Sequence, residues 1–324
     1  MADDTVNRNN NQNIFHPTLH DMSDFVTYVE KLRTICEPLG FGLCKIVPPK
    51  EYTARPQGYD NLPNIRLPYI HAQSVARKKL PNKASQHRFY RANIDHLDGS
   101  TLKEYNNEVN EKDNKSTANG DDEEKLFWSK LHLRKTKYAS DLDVKTLFSE
   151  DVKLWNLNSL DTILTKIKTP LLGVNTTFLY IASRFSFFGL HVEDVNLPSI
   201  NYLHLGKSKV WYSVPTSASK QVEDMLSRAY PYDYKKCSEF IRHKRYLVHP
   251  NTLTLHSIPW TKTIQNPGEF IITFPYGYHQ GYNAGYNISE AINFGTEHWV
   301  PYGQKSRQCT CLPNTVGIDM SLFT

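Results

Sequence analysis

Two short stretches carry residues whose types and spacing could do chemistry. His191 and Glu193 lie in Phe187-Phe188-Gly189-Leu190-His191-Val192-Glu193-Asp194, and His279 lies in Tyr276-Gly277-Tyr278-His279-Gln280-Gly281. In a β-strand residues i and i+2 leave the same face, so His191 and Glu193 would project together while Val192 enters the wall. A second strand that brings His279 alongside completes two imidazoles and one carboxylate, the facial set that holds iron(II) and leaves adjacent coordination positions open. Open positions mean chemistry, because a structural metal is enclosed by protein ligands. A His-x-Glu pair is common by chance in a chain with 13 histidines. The flanks set this one apart: Phe185, Phe187, Phe188, Tyr276, Tyr278, Tyr282 and Tyr286 are the β-forming aromatics of a barrel wall around a pocket.

The rest of the chain must position those three side chains. Residues 1–13 are polar and rich in Asn and Asp, and are expected to be disordered. Phe25, Val29, Leu32 and Cys36 fall at helical spacing, with Asp21 or Ser23 as cap and Gly40 as stop. A short strand follows over 41–47, ended by Pro48-Pro49. This unit is too short to fold alone and is expected to dock on something larger. Residues 53–96 show no clear periodicity, and 98–125 are polar and charged enough to read as a solvated loop or insertion. Leu157, Leu160, Ile163, Leu164 and Ile167 predict a helix capped near Asn158 or Ser159. Segments 178–190, 199–205, 209–214, 245–255 and 269–275 read as strands, interrupted by a helix over 217–229 with Val222, Met225 and Leu226 on its apolar face. Many short strands with turns between them argue for a closed or sandwiched β architecture in a mixed, mainly β protein. An antiparallel jelly roll can enclose a ligand cavity.

Composition sets the bounds. A chain of 324 residues with 39% hydrophobic and 12% aromatic content can bury an ample core. A net charge of +5 permits contact with nucleic acid or chromatin without demanding it. No signal peptide is legible before the five cysteines, so a reducing, intracellular compartment is expected. Even the apolar run over 176–190 carries Arg184, so no membrane contact is expected.

Several blocks together resemble a known family. Phe15-His16-Pro17-Thr18 through Val47-Pro48-Pro49-Lys50-Glu51 resembles a JmjN motif. Gly173-Val174-Asn175-Thr176, His191-Val192-Glu193-Asp194, Ser199-Ile200-Asn201-Tyr202-Leu203-His204, Lys209-Val210-Trp211-Tyr212, Thr273-Phe274-Pro275-Tyr276-Gly277-Tyr278-His279 and Asn293-Phe294 resemble a JmjC domain. The match is to the JmjN-JmjC histone trimethyl-lysine demethylases and covers nearly everything from residue 14 onward except 98–125. It implies a JmjN unit over 14–55, a linker over 56–148, a JmjC catalytic domain over 149–312 and a C-terminal segment over 313–324. The implied fold is a double-stranded β-helix, a cupin-like jelly roll with surrounding helices and a docked JmjN unit. The implied chemistry uses iron(II), oxygen and 2-oxoglutarate, with His191, Glu193 and His279 as iron ligands.

The resemblance assigns further roles. Lys209 and Tyr138, with Asn201 and Phe188 nearby, would hold 2-oxoglutarate. Lys209 lies on a strand beside Val210 and Tyr212, where it is either an edge-strand charge or a buried cation that needs an anionic partner. The segment from Tyr138 to Trp155 is one residue longer than the family pattern. The methyl-ammonium pocket would include the Gly173 backbone, Tyr180 and Glu193, with Ala291, Ile292 and Asn293 beside it; Phe178 stands where many members have Tyr. A trimethylated ammonium has no nitrogen lone pair, so oxidation to an imine is closed to it. Hydroxylation of a methyl C–H avoids that requirement, and the carbinolamine collapses to formaldehyde and a lysine with one methyl fewer.

Cys237, His243, Cys309 and Cys311 supply a Cys-Cys-Cys-His set suited to closed tetrahedral zinc, although their spacing is not that of a common finger and buried free thiols compete with it. The resemblance decides for a structural zinc site. Its implied substrate is tri- or dimethylated lysine-nine or lysine-thirty-six on the histone H3 tail, and its implied address is nuclear. A protein hydroxylase acting on a non-histone substrate and a non-catalytic chromatin scaffold are the alternatives. No reader domain or sequence-specific DNA-binding finger is legible in the chain.

Overall fold

The computed structural model describes residues 13–79, 87–113, 121–309, 311 and 315–323. An amino-terminal unit comprises β1 (Ile14–Phe15), α1 (Phe25–Cys36) and β2 (Leu43–Ile46). A long hairpin of β3 (Arg66–Arg77) and β4 (Phe89–Thr101) leads to α2 (Leu102–Asp113), α3 (Asp121–Lys130) and β5 (Thr136–Leu142). Next come β6 (Phe178–Ala182), β7 (Phe187–His191), β8 (Ser199–Gly206), β9 (Lys209–Ser213), α4 (Ser219–Ala229), α5 (Pro231–Lys236), β10 (Tyr246–Val248) and α6 (Pro250–Leu255). The last elements are β11 (Thr261–Gln265), β12 (Phe270–Thr273), β13 (His279–Asn283), β14 (Asn287–Asn293) and α7 (Val300–Gln304).

The strands form two sheets, ordered β1-β2-β12-β8-β14-β6-β5-β3-β4-β10 and β11-β9-β13-β7. The central β12-β8-β14-β6 and the four-stranded sheet are the two walls of a cupin-like jelly roll. Everything else in the large sheet extends one wall on either side. At Gly189 the chain leaves no room for a side chain, since a Cβ there would lie 2.2 Å from the Lys244 carbonyl oxygen. That close approach brings the residues before β10 against β7.

The amino-terminal unit adds its strands to the barrel edge: β1 runs parallel to β2, and β2 pairs antiparallel with β12. Phe25 of α1 packs edge-on against Trp155 and Phe294, and the Trp155 indole donates to the Met22 carbonyl at 3.0 Å. Each large apolar side chain buried in this way contributes about 1.5–3 kcal/mol, so a unit too short to fold alone is held by a shared core. The cap of α1 is Asp24, which accepts from Thr27 N at 3.0 Å, and not Asp21 or Ser23. Those two are turned backward, Asp21 accepting from Thr18 and Ser23 donating to the His20 carbonyl. Residues 1–12 lie outside the described residues, whereas Asn13 is buried and donates to Thr263.

Four expectations need correction. Segment 178–190 is two strands, β6 and β7, parted by a turn at 183–186. The described part of 98–125 is regular structure and not a loop: β4 runs to Thr101, and α2 buries Leu102, Tyr105 and Val109, while 114–120 lie outside the described residues. On α3, Glu123 receives two hydrogen bonds from Arg184, at 2.8 and 2.7 Å. The apolar pattern over 157–167 forms two 3-10 turns, Leu157–Ser159 and Ile163–Lys166, and not one helix. Asn156 and Thr162 each accept from a backbone N–H two residues on, so each starts its own short turn and interrupts a continuous helix. Segment 245–255 is not one strand, because His249 caps α6 by accepting from Asn251 N and Pro250 sits at its first position.

Candidate metal centre and cosubstrate cavity

Strand β7 ends on His191, and Glu193 continues in extended conformation with φ −66° and ψ 157°, so the two side chains leave the same face. Strand β13 runs antiparallel to β7 with His279 opposite His191, and the two ring centroids lie 4.3 Å apart. His191 Nδ1 sits 2.6 Å from the Gly189 carbonyl oxygen, and His279 Nδ1 sits 3.1 Å from that of Gly277. A carbonyl can only accept, so each Nδ1 carries the proton and each Nε2 lone pair is left for the centre. Glu193 Oε1 stands 3.5 Å from His279 Nε2, and one donor atom from each of the three residues lies within 4.8 Å of the others. Two imidazoles and one carboxylate so arranged fit a divalent transition metal bound on one face.

The electrostatics match that fit. Burial pushes His191 well below its ordinary value, and His279 and Lys244 push it further. Its ring is therefore neutral, as a ligand must be. Burial opposes ionisation of Glu193, but the His279 contact and the charge of Lys244 outweigh it and hold the carboxyl well below the usual range. For Lys244 burial favours the neutral amine, yet Asp194, Glu193 and Asp141 keep it cationic.

The three residues open into a cavity of about 270 Å³ whose wall includes Tyr138, Tyr180, Phe188, Asn201, Lys209 and Ala291. Lys209 is 2% exposed. Its Nζ donates to Asn283 Oδ1 at 2.7 Å and lies 5.7 and 5.8 Å from the Tyr138 and Phe188 ring centroids. Burial pulls its pKa from 10.5 to about 7. Among the described residues no carboxylate pairs with it, so a buried cation faces the cavity without a counter-charge. Asn201 is oriented by a relay: Trp211 donates to Gln265 Oε1 at 3.0 Å, and Gln265 Nε2 donates to Asn201 Oδ1 at 3.1 Å. The Asn201 N–H groups are left for the cavity. This lining suits a small dianion with a metal-chelating end near Glu193 and a distal carboxylate at Lys209.

Strand β5 bulges between Ala139 and Leu142, with Asp141 at φ 59°. The bulge brings Asp141 to the cavity wall, where it accepts from the Tyr180 hydroxyl at 3.2 Å. Gly173, Ile292 and Asn293 lie outside that wall. Gly173, at φ 73°, packs against the Phe178 ring, Ile292 enters the core, and Asn293 donates to the Pro198 carbonyl at 3.2 Å. Asp141, Lys244 and Gln265 escaped the sequence reading. The bulge and the left-handed Lys244 (φ 57°) carry no motif; the only signal for Lys244 was its place beside His243.

A second cluster joins Cys237, His243, Cys309 and Cys311. Cys309 Sγ lies 3.6 Å from Cys237 Sγ, 3.1 Å from Cys311 Sγ and 3.2 Å from His243 Nε2. Burial pushes the Cys237 thiol up to about 12, with the neighbouring thiols adding to the shift. Three sulfurs and one imidazole nitrogen in such contact are the donor set of a closed tetrahedral zinc site, which would compensate the thiolates.

A sequence profile described as "JmjC domain, hydroxylase" matches residues 178–294, and one described as "jmjN domain" matches 13–48. Mouse lysine-specific demethylase 4B is 36% identical over 315 residues, covering 95% of this chain and 28% of that protein. Human probable lysine-specific demethylase 4F is 34% identical over 323 residues, with 95% and 48% covered, and rat lysine-specific demethylase 4D is 34% identical over 316, with 96% and 60% covered. The chain thus spans from about a quarter to three-fifths of the length of these relatives.

Proposed function

The chain belongs to the JmjN-JmjC family, and from that premise we propose that it is an iron(II)- and 2-oxoglutarate-dependent demethylase of tri- and dimethyl-lysine on the histone H3 tail, at lysine-nine or lysine-thirty-six. The observation that carries the reading is the His191–Glu193–His279 set opening into a cavity whose far wall holds one buried, uncompensated lysine. Iron(II), with 2-oxoglutarate and oxygen, would supply the oxidising power that hydroxylates a methyl C–H.

The protein's own residues orient and exclude. His191, Glu193 and His279 would hold the metal. Lys209 and the Asn201 amide bind the distal carboxylate, with Tyr138 and Phe188 closing the wall around it. Tyr180, its hydroxyl turned to Asp141, and the Glu193 carboxylate offer oxygens to the polarised methyl groups, and Ala291 leaves them room. Cys237, His243, Cys309 and Cys311 would hold a structural zinc, which would tie Cys309 and Cys311 to the segment that carries Cys237 and His243. A nuclear address follows from the substrate. No helix among the described residues is long and apolar enough to cross a membrane.

The test is mass spectrometry of H3 tail peptides, each trimethylated at one candidate lysine, incubated with the protein, iron(II), ascorbate and 2-oxoglutarate. Stepwise methyl loss that requires 2-oxoglutarate and disappears in His191→Ala is the expected result. A stable gain of oxygen without methyl loss, or full turnover in His191→Ala, overturns it.

A further inference from the structure

Beside the Cys-Cys-Cys-His cluster lies a hollow of about 370 Å³, lined by Arg91, Lys236 and Arg245 together with Tyr232, Asp233, His243 and Cys311. Among the described residues that line it, the one carboxylate is Asp233, 3.4 Å from Arg91. The next acid along the chain, Glu239, is engaged by Arg242 at 3.5 Å. Around the hollow the charge stays positive. Lys78 lies over the Tyr230 ring at 4.8 Å and Lys236 over the Tyr232 ring at 4.5 Å, and Lys235 is exposed. Three lining cations (Arg91, Lys236, Arg245) against one lining carboxylate leave a surplus of two at the hollow itself, with Lys78 and Lys235 on the elements beside it.

The surface adjoins the candidate catalytic centre. His243 lines both the hollow and the cavity that holds His191, Glu193 and His279, and β4 runs from Arg91 at the hollow to Ile94 at the cavity. Tyr232 stands 68% exposed at the hollow's edge, a flat ring with a cation above it.

We propose that this surface is a docking site for the sugar-phosphate backbone of duplex DNA, engaged without regard to sequence. A single phosphate would find few uncommitted donors, since Arg91 is already tied to Asp233 and Lys236 already lies over the Tyr232 ring. A polyanion is different: it meets each cation with a separate phosphate and releases a counterion at each contact. Solvated Lys and Arg side chains serve backbone positioning and carry no sequence information of their own. DNA is favoured as the source because the proposed substrate is a histone tail, and the particle that carries the tail is wrapped in duplex DNA; this step rests on the demethylase reading.

The experiment is fluorescence anisotropy of the full chain with a labelled random-sequence DNA duplex of about 30 base pairs, long enough to cover several phosphate contacts. Measurements run across a salt series and compare wild type, Arg91→Glu with Lys236→Glu, and a control of equal charge change at remote exposed positions, Lys103→Glu with Lys153→Glu. Wild-type affinity should fall with salt. The hollow variant should bind at least tenfold more weakly, with the log–log salt slope reduced by about 2 for two lost contacts, and the control should change less than twofold. Lys78→Ala with Lys236→Ala, which leaves the Arg91–Asp233 pair intact, should weaken binding several-fold with an unaltered melting temperature and zinc content. Equal losses in the hollow and control variants, absence of DNA binding, or preferential binding of a phosphopeptide over the duplex would each overturn the proposal. The readout is DNA affinity and needs no turnover, so failure of the demethylase reading is seen separately, in the peptide assay.

Discussion

Replacing Lys209 by Met should make the ligand-free protein more stable while destroying its affinity for 2-oxoglutarate. Lys209 titrates at 10.5 in an unfolded chain and at about 7 here, because burial disfavours its charge and no carboxylate compensates it. At about 1.4 kcal/mol per pH unit, the gap costs the folded state about 4 kcal/mol at pH 7. Methionine keeps the apolar stem and removes the cost. It also removes the hydrogen bond to Asn283 Oδ1, worth about 1 kcal/mol; that oxygen keeps a second donor, Asn287 Nδ2 at 3.0 Å. The net expectation is a gain of about 3 kcal/mol, read by urea denaturation of ligand-free protein. The pH dependence has a definite sign. Between about 7 and 10.5 the unfolded chain holds the proton that the folded one has lost, so this residue's contribution to stability improves as pH rises through that window, and Lys209→Met abolishes the slope. Binding runs the other way, since the cosubstrate's carboxylate needs the ammonium. Affinity should fall above pH 7 by up to about tenfold per unit, and Lys209→Met should weaken it about a hundredfold, in line with about 3 kcal/mol for a lost buried charge pair. Calorimetric titration of 2-oxoglutarate into manganese-loaded protein measures both. A ligand-free variant less stable than wild type, or one that still binds 2-oxoglutarate normally, would refute the reasoning.

Gln265→Leu should raise the KM for 2-oxoglutarate several-fold with a smaller change in kcat, because Trp211 loses its acceptor and Asn201 its orienting donor; titrating the cosubstrate at saturating peptide checks the split. Cys309→Ser should lower bound zinc, measured by elemental analysis, and raise the KM for peptide more than that for 2-oxoglutarate, since Cys309 contacts the other three members of the cluster's donor set. Glu123→Ala should destabilise by about 2 kcal/mol, the scale of charge-assisted hydrogen bonds left unmade, because it strands the Arg184 guanidinium that it now grips twice. Chemical denaturation reads that loss, and turnover of the surviving folded protein should be unchanged.

Much of the candidate centre was legible because strand periodicity is local. His191 and Glu193 must share a face if the segment is extended, whatever surrounds it, and the structure makes it so. Lys209 among Val210 and Tyr212 already posed the question of its counter-charge. Helix α1 announced itself by the spacing of Phe25, Val29, Leu32 and Cys36, although which of Asp21, Ser23 and Asp24 caps it depended on the turn before it.

Other features were decided only by the assembled fold. The register that sets His279 opposite His191 joins distant strands, and no local pattern encodes such a pairing. Segment 98–125 reads as solvated by composition, yet Leu102, Tyr105 and Val109 find a core to bury against and Glu123 finds Arg184. The pattern over 157–167 reads as a helix, yet Asn156 and Thr162 hydrogen-bond the backbone and split it into turns. Asp141 reaches the cavity through a bulge, and Lys244 lies beside it because Gly189 lets two backbones meet. Which residues could be ligands, and which faces they share, is written in short segments, because side-chain chemistry and strand period are local properties. Which of them meet, and which charges go uncompensated, emerges on folding, because register, bulges and burial are set by contacts between segments far apart in the chain.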